Sequence, residues 1–315
     1  MQIVILDGYA VNPGDLSWDA IQRFGTLSVY DRTPPDCTAQ RMRGADVVFT
    51  NKTRIGYAEL AQAKNLQFIG VLGTGYDVID LSAVKRAGVT VSNVPGYSSD
   101  AVAQHTMALL LEICNQVGHH SREVRKGRWT HAADYCFWDY PLLELAGQTF
   151  GVLGTGRIGC AAARLAAAFG MRVIGHSPHR RKEFCGEYVG FPELLAMSDV
   201  LSLHCPVTAE TTGCINADTL LNMKPTAILL NTSRGALVNA QDLADALNEG
   251  RLYAAGVDVA EREPIPRSNP LLSAKNCVIT PHIAWAPLAA RRRLIDMSAA
   301  NLAAFLEGAP INRVG

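Results

Sequence analysis

Between residues 149 and 169 an apolar run, a glycine-rich turn and an alanine-rich stretch follow one another without a break. Thr149-Phe150-Gly151-Val152-Leu153 predicts a buried strand, and Ala161 to Phe169 predicts a helix. Between them lies Gly154-Thr155-Gly156-Arg157-Ile158-Gly159, the spacing of a dinucleotide-binding turn in the context such a turn requires. Gly154 permits the tight turn, Gly156 lets backbone approach a pyrophosphate, and Gly159 lets helix pack closely on strand. The unpaired N–H groups at the start of the helix then face the phosphates. This turn opens near the midpoint of a 315-residue chain, so a separate unit precedes it.

Length and pattern predict two domains of parallel α/β architecture. Strands are expected at Gln2–Leu6, Thr26–Tyr30, Asp46–Thr50 and Leu66–Val71, with helical stretches between them. A long helix is expected from about Asp100 to Val124, followed by an aromatic loop from Trp129 to Pro141. A second series follows, with strands at Thr149–Leu153, Met171–His176, Val200–His204, Ala227–Leu230, Ala254–Val257 and Val278–Thr280, and a last helix from about Pro287 to Glu307. The fold class read from this is α/β, with two Rossmann-like, doubly wound parallel-sheet domains and a cleft between them. The last helix is expected to return to the first domain. That gives a discontinuous substrate domain, 1–98 plus 287–315, and a dinucleotide-binding domain, 99–286.

Charge and cysteine content narrow the function classes. Formal net charge is zero, which argues against nucleic acid or an anionic membrane as partner. No basic, apolar leader precedes Ile3-Val4-Ile5-Leu6-Asp7, and no run approaches the length of a membrane span. The eight cysteines are scattered without a CxxC pair, which points to a reduced, cytoplasmic protein with no structural metal. His119-His120 reads as a solvated helix face, because adjacent helix residues diverge.

Three strand ends carry the candidate chemistry. Ala227–Leu230 runs into Asn231-Thr232-Ser233-Arg234-Gly235, Ala254–Val257 into Asp258 and then Glu263-Pro264, and Val278–Thr280 into Pro281-His282-Ile283-Ala284-Trp285. Ligands of such sheets bind beyond the carboxyl ends of the strands. His282 suits proton transfer near neutral pH, with Glu263 as a carboxylate that favours its charged form. Arg234 suits a planar grip on a substrate carboxylate. Asp258 suits a hydrogen bond to a nicotinamide carboxamide. The set fits hydride and proton exchange with a small 2-oxo or 2-hydroxy acid.

The ordered motifs GTGRIG, His204-Cys205-Pro206 with Thr211 behind it, NTSRG, GVDV with Glu263-Pro264, and PHIAW resemble the D-isomer-specific 2-hydroxyacid dehydrogenases over essentially the whole chain. Leu6-Asp7-Gly8-Tyr9 and Gly73-Thr74-Gly75-Tyr76-Asp77 look most like the glycerate dehydrogenase (hydroxypyruvate reductase) branch. The resemblance implies Arg234 binding substrate, Glu263 tuning and His282 as general acid/base. It implies a substrate carboxylate received by backbone around Leu72, Gly73, Thr74, Gly75 and Tyr76. Trp138 and Trp285 suit the wall of a substrate pocket and suit core packing equally well. A dinucleotide would then contact Thr106, the turn from Gly154 to Gly159, His204, Cys205, Pro206, Thr211, Asn231, Thr232, Ser233, Asp258, His282 and Ala284. Relatives exchange contacts across a dimer near Phe137-Trp138-Asp139-Tyr140, so a homodimer is expected.

The second strand of the dinucleotide unit departs from an NAD pattern. Ser177 stands where a carboxylate would hold the adenosine ribose, and Arg180 and Arg181 follow. Without the carboxylate a 2′-phosphate is not repelled, which favours NADP(H) and leaves NAD(H) as the alternative. Hydroxypyruvate and glyoxylate are the expected substrates, and pyruvate, as in a D-lactate dehydrogenase, is the alternative. D-3-Phosphoglycerate is disfavoured because the chain stops at Gly315. A formate- or phosphite-type donor is disfavoured by the Glu263–His282 pair, since formate needs no proton donor. A reading from another class is a nucleotide-sensing, corepressor-like protein.

Overall fold

The computed structural model describes all residues, Met1–Gly315. They form two compact units, Met1–Ser98 with Ala286–Gly315, and Ser99–Trp285. Each is built on one all-parallel sheet covered by helices. No helix is long and apolar enough to cross a membrane.

In the first unit β1 (Gln2–Ile5), β2 (Thr26–Val29), β3 (Val47–Thr50), β4 (Phe68–Val71) and β5 (Thr90–Ser92) lie in the order β2-β1-β3-β4-β5. β3 and β4 are buried along their whole length, as strands covered on both faces must be. Strand order reverses between β1 and β3. There Asp7, just past β1, accepts hydrogen bonds from the backbone N–H groups of Asn51, Lys52 and Thr53, just past β3. Helix Leu288–Leu306 packs on this sheet through Phe305, whose ring lies 5.0 Å from that of Phe68. Its buried Asn301 donates to the Asn93 carbonyl and accepts from Asn312. Arg291 near the start of this helix grips both carboxylate oxygens of Asp15, at 2.7 and 2.6 Å.

The second unit contains β6 (Thr149–Leu153), β7 (Arg172–His176), β8 (Glu187–Tyr188), β9 (Val200–Leu203), β10 (Ile228–Asn231), β11 (Ala254–Val257) and β12 (Cys277–Ile279). Their order is β12-β11-β10-β9-β6-β7-β8, with the reversal between β6 and β9. Helices Ser99–Asn115 and Arg157–Ala168 pack together over the sheet. Their contact is lined by small residues, Ala103, Ala162, Ala163 and Ala166, all fully buried. Small side chains let two helices and a sheet approach closely, which explains the alanine-rich sequence after the glycine turn.

Three details differ from expectation. The helix expected from Asp100 to Val124 is two helices, Ser99–Asn115 and Val117–Arg125, separated by Gln116 in the left-handed region at φ 49°. No residue of the second helix is buried, so the apolar pattern that sustains the first has ended. Gly118 sits against Glu112, leaving only 3.0 Å between the carboxylate and a Cβ placed there. The short strands β5 and β8 are additional, and each has too few residues to show a period. His119 and His120 are half-exposed, but their rings do not diverge. Their rings lie 5.2 Å apart, the His119 ring contacts Asp139 at 2.6 Å, and Asp139 also pairs with Arg128.

Three charge-assisted hydrogen bonds converge on Asp7, and each such bond contributes about 1.5–3 kcal/mol where well enclosed. Because Lys52 is exposed, Asp7→Ala is expected to lower unfolding free energy by about 2–3 kcal/mol in total, measured as a shift of the urea midpoint with unchanged m-value.

Candidate active site

The glycine turn is shaped by contacts that no side chain could replace. A Cβ on Gly154 would lie 2.6 Å from the backbone nitrogen of Cys205, and φ there is 95°. A Cβ on Gly159 would lie 2.1 Å from the Gly154 carbonyl oxygen. Gly156 is different, because a Cβ there would meet nothing within 4 Å. That glycine faces open space at the start of the 12-residue helix Arg157–Ala168, and no side chain caps the helix. Exposed N–H groups at the sheet's reversal point fit a pyrophosphate. Thr155 is buried beside this turn, and Arg157 and Ile158 begin the helix.

Residues after β9 and β10 form the neighbouring rim. His204 N–H donates to the Leu153 carbonyl at 2.7 Å, and its Nε2 lies 2.8 Å from the Ser202 hydroxyl. Cys205 is buried and its carbonyl accepts from Ser233 Oγ at 2.7 Å. Burial pushes its thiol up to about 12, so it is an un-ionised packing group. Thr211 turns its hydroxyl onto its own loop, donating to the Pro206 carbonyl at 2.7 Å. The Asn231 side chain closes the turn Asn231–Arg234 by donating to the Arg234 carbonyl and accepting from Ser233 N–H. Thr232 meets the buried Thr106 hydroxyl at 3.0 Å. Gly235 brings this turn against the segment after Asp258, because a Cβ there would fall 2.0 Å from the Ala260 carbonyl carbon.

The histidine and carboxylate expected to pair are in contact. His282 Nδ1 lies 2.6 Å from Glu263 Oε2, and Glu263 Oε1 accepts from Ala260 N–H at 3.1 Å. With Nδ1–H donated to the carboxylate, Nε2 is the ring atom able to exchange a proton. His282 adopts the left-handed region at φ 54°, uncommon for a residue with a side chain. Asp258 holds that turn. One of its oxygens accepts from Thr280 Oγ1 at 2.6 Å and Ile283 N–H at 2.9 Å, and the other accepts from Ala284 N–H at 2.9 Å. Burial raises the Asp258 carboxyl, but hydrogen bonds from His105, Thr280, Ile283 and Ala284 outweigh it and keep the group below the usual carboxylate range. Trp285 donates its indole N–H to the His282 carbonyl at 3.0 Å, bracing the same turn.

Two expected contacts change character. Asp258, read as a nicotinamide partner, has most of its acceptor capacity committed to the histidine turn. Leu72, read as part of the substrate turn, has no group to offer. Its side chain is fully buried, its N–H donates to the Thr50 carbonyl at 2.7 Å, and its carbonyl accepts from Asn51. Gly73 N–H is likewise spent on the Val71 carbonyl at 2.8 Å. The Thr74 hydroxyl donates to the Val94 carbonyl, and the Thr74 carbonyl accepts from Asn93. The N–H groups of Thr74, Gly75 and Tyr76 take no part in these bonds. Ser177 is half-buried past β7, and Arg180 and Arg181 are exposed after it.

His105 and Thr280 escaped the sequence reading. Thr280 gives its proton to Asp258, so His105 Nε2, 2.9 Å from the Thr280 oxygen, must be the donor. A histidine in mid-helix carries no local signal of this.

A family model described as "D-isomer specific 2-hydroxyacid dehydrogenase, NAD binding domain" matches residues 107–284. A hydroxypyruvate reductase from Blautia hydrogenotrophica is 48% identical, covering 100% of this chain and 99% of the relative. The crystal structure of the TT0316 protein from Thermus thermophilus is 36% identical at a TM-score of 0.87, covering 100% of both chains. An NADPH-dependent glyoxylate/hydroxypyruvate reductase from Sinorhizobium meliloti, solved in complex with NADP and malonate, is 28% identical at a TM-score of 0.85, covering 100% of this chain and 96% of that one.

Burial pushes the His204 imidazole down to about 4, so it folds neutral. The unfolded chain, titrating near 6.5, takes up its proton first as pH falls. The stability this group contributes is complete above pH 6.5 and is lost as pH falls toward 4. Urea midpoints at pH 7.5, 6 and 5 should therefore decline less steeply in His204→Gln than in the unaltered protein.

Proposed function

The chain belongs to the D-isomer-specific 2-hydroxyacid dehydrogenases, and from that premise we propose that it reduces hydroxypyruvate to D-glycerate and glyoxylate to glycolate, using NADPH in preference to NADH. The observation that carries the chemistry is the His282–Glu263 contact at 2.6 Å, with Nδ1 committed and Nε2 available. A bound nicotinamide dinucleotide supplies the hydride. The chain's own task is to hold the oxo acid and deliver one proton.

Arg234 receives the substrate carboxylate or its carbonyl oxygen through its planar donor fork. His282 donates from Nε2 to the developing alkoxide, and Glu263 keeps the ring oriented and complements its positive charge while the proton is still held. In the oxidative direction Nε2 takes the hydroxyl proton back. The turn Thr74–Tyr76 is read as a backbone receiver for the carboxylate. The name of the Blautia relative and the relatives called glyoxylate reductase support this substrate class over pyruvate. Ser177 in place of a carboxylate, followed by two exposed arginines, supports NADPH. The NADP complex of the Sinorhizobium relative points the same way.

A homodimer is part of the same reading. The segment 117–142 exposes Val117, Trp129, Tyr135, Trp138 and Leu142, each more than half accessible. Solvent does not favour so many large apolar side chains on one short segment, and a second copy of the chain would cover them. Trp138→Asp should shift the species seen by light scattering from dimer toward monomer. An unaltered protein that is monomeric at micromolar concentration would remove this part of the reading.

Initial rates with NADPH and NADH, each against hydroxypyruvate, glyoxylate and pyruvate, test the assignment. Hydroxypyruvate with NADPH is expected to give the highest kcat/KM. His282→Ala and Arg234→Ala should each reduce kcat/KM by at least about two orders of magnitude. Near-normal turnover in either variant, or turnover confined to pyruvate, would overturn it, and no turnover with any pair would favour a nucleotide sensor.

A further inference from the structure

Tyr188 lies in the two-residue edge strand β8, in register with Gly175 of β7. Its phenol oxygen accepts the backbone N–H of Arg181 at 2.8 Å and shares a hydrogen bond with Thr155 Oγ1, also at 2.8 Å. One atom thus links the second residue of the glycine turn to the loop that carries the arginines. The ring is fixed as well. Phe184 is buried with its ring 4.9 Å from that of Tyr188, and a Cβ on Gly175 would strike Phe184 at 2.5 Å and Thr155 Cγ2 at 3.0 Å. Glycine at 175 makes the room in which this cluster forms. The Arg180 guanidinium lies over the Tyr188 ring at 5.2 Å. Val189, next in the chain, donates to the Gly175 carbonyl and accepts from His176.

We propose that Tyr188 is a positioning residue that sets the spacing between the pyrophosphate turn and the Arg180–Arg181 loop, and thereby the discrimination between 2′-phosphorylated and unphosphorylated dinucleotides. The inference rests on the reading that these arginines receive a 2′-phosphate. In such a ligand the pyrophosphate and the 2′-phosphate are held on one ribose, so their separation hardly varies. Exposed arginines on an unanchored loop would have to be ordered on binding, at a cost in side-chain conformational entropy. Anchoring the Arg181 backbone and resting Arg180 on an aromatic face meets part of that cost before the ligand arrives. A ligand without the 2′-phosphate makes no use of the loop's arginines and is insensitive to the anchor.

The test is binding by calorimetry of 2′,5′-ADP, NADPH and NADH to the unaltered protein, to Tyr188→Phe, Thr155→Val and their double variant, and to Arg180→Ala/Arg181→Ala. Tyr188→Phe keeps the ring and removes only the hydroxyl. It is expected to weaken 2′,5′-ADP and NADPH about tenfold, the effect of one partly buried polar link, while NADH changes less than about twofold. Thr155→Val should lower the NADPH-to-NADH affinity ratio by the same factor, whatever affinity the turn itself loses for both, and the double variant should lower that ratio little further, because both remove one chain of bonds. Equal losses for NADPH and NADH, or none, with selectivity still abolished in the double-arginine variant, would overturn the positioning role and leave the arginine reading intact. Unchanged selectivity in the double-arginine variant would overturn that reading, and this inference with it. Retained NADH affinity in Tyr188→Phe shows that the variant is folded.

Discussion

The buried carboxylate of Asp258 is the interaction on which the turn carrying His282 depends. His282 occupies a left-handed backbone conformation that costs about 1–3 kcal/mol and persists only where the surroundings enforce it. Asp258 enforces it by accepting the two N–H groups that follow the histidine, together with the Thr280 hydroxyl that precedes it. A carboxylate taken out of water needs such donors, so the charge and the turn stabilise each other. Glu263 can then meet Nδ1, and Trp285 can close on the His282 carbonyl. His105 completes the arrangement from the helix Ser99–Asn115, delivering its proton to Thr280. A histidine proposed to exchange a proton is useful only in one orientation, and here the orientation of His282 is set by Asp258, which need not touch a substrate.

The two sheets share a topology and differ at the point that matters for ligands. Each reverses its strand order next to its first strand, which is where parallel sheets open a crevice at their carboxyl ends. In the first unit Asp7 fills that place and consumes the N–H groups of Asn51, Lys52 and Thr53. In the second unit glycines occupy it, and Gly156 leaves the helix start open. A dinucleotide phosphate would meet a carboxylate in one and unpaired donors in the other. The same architecture therefore leaves the strand-order reversal open in one unit and fills it in the other, through one aspartate and three glycines.

Much of this was legible in the chain. GTGRIG with its flanking strand and helix declares a close backbone approach, and Gly154 and Gly159 do lie within 3 Å of neighbouring backbone once a Cβ is imagined. Arg234, Glu263 and His282 each follow a strand, which is enough to bring them to one rim of a parallel sheet. Other features left no local trace. The break at Gln116 depends on Glu112 receiving Gly118, and the pairing of His119 with Asp139 depends on a loop twenty residues later. Tyr188 sits in a strand of two residues, too short for any period. Leu72 looked like part of a ligand turn because neighbouring glycines are, yet its own backbone groups are consumed by β3 and the residue after it.

The sequence by itself determined which segments become strands and helices, where backbone must approach backbone, and which residue types stand at the strand ends. Those are properties of near neighbours: apolar period, glycine spacing and the identity of the residue that follows a buried run. Only the tertiary structure decided which of those residues act and which support. Asp258 became the holder of the histidine turn, and Thr280 and His105 were recruited to it. Tyr188 joined the glycine turn to the arginine loop. Apart from the Arg181–Tyr188 bond, which spans seven positions, these hydrogen bonds join atoms 22 to 175 positions apart in the chain, and no local pattern encodes such a meeting.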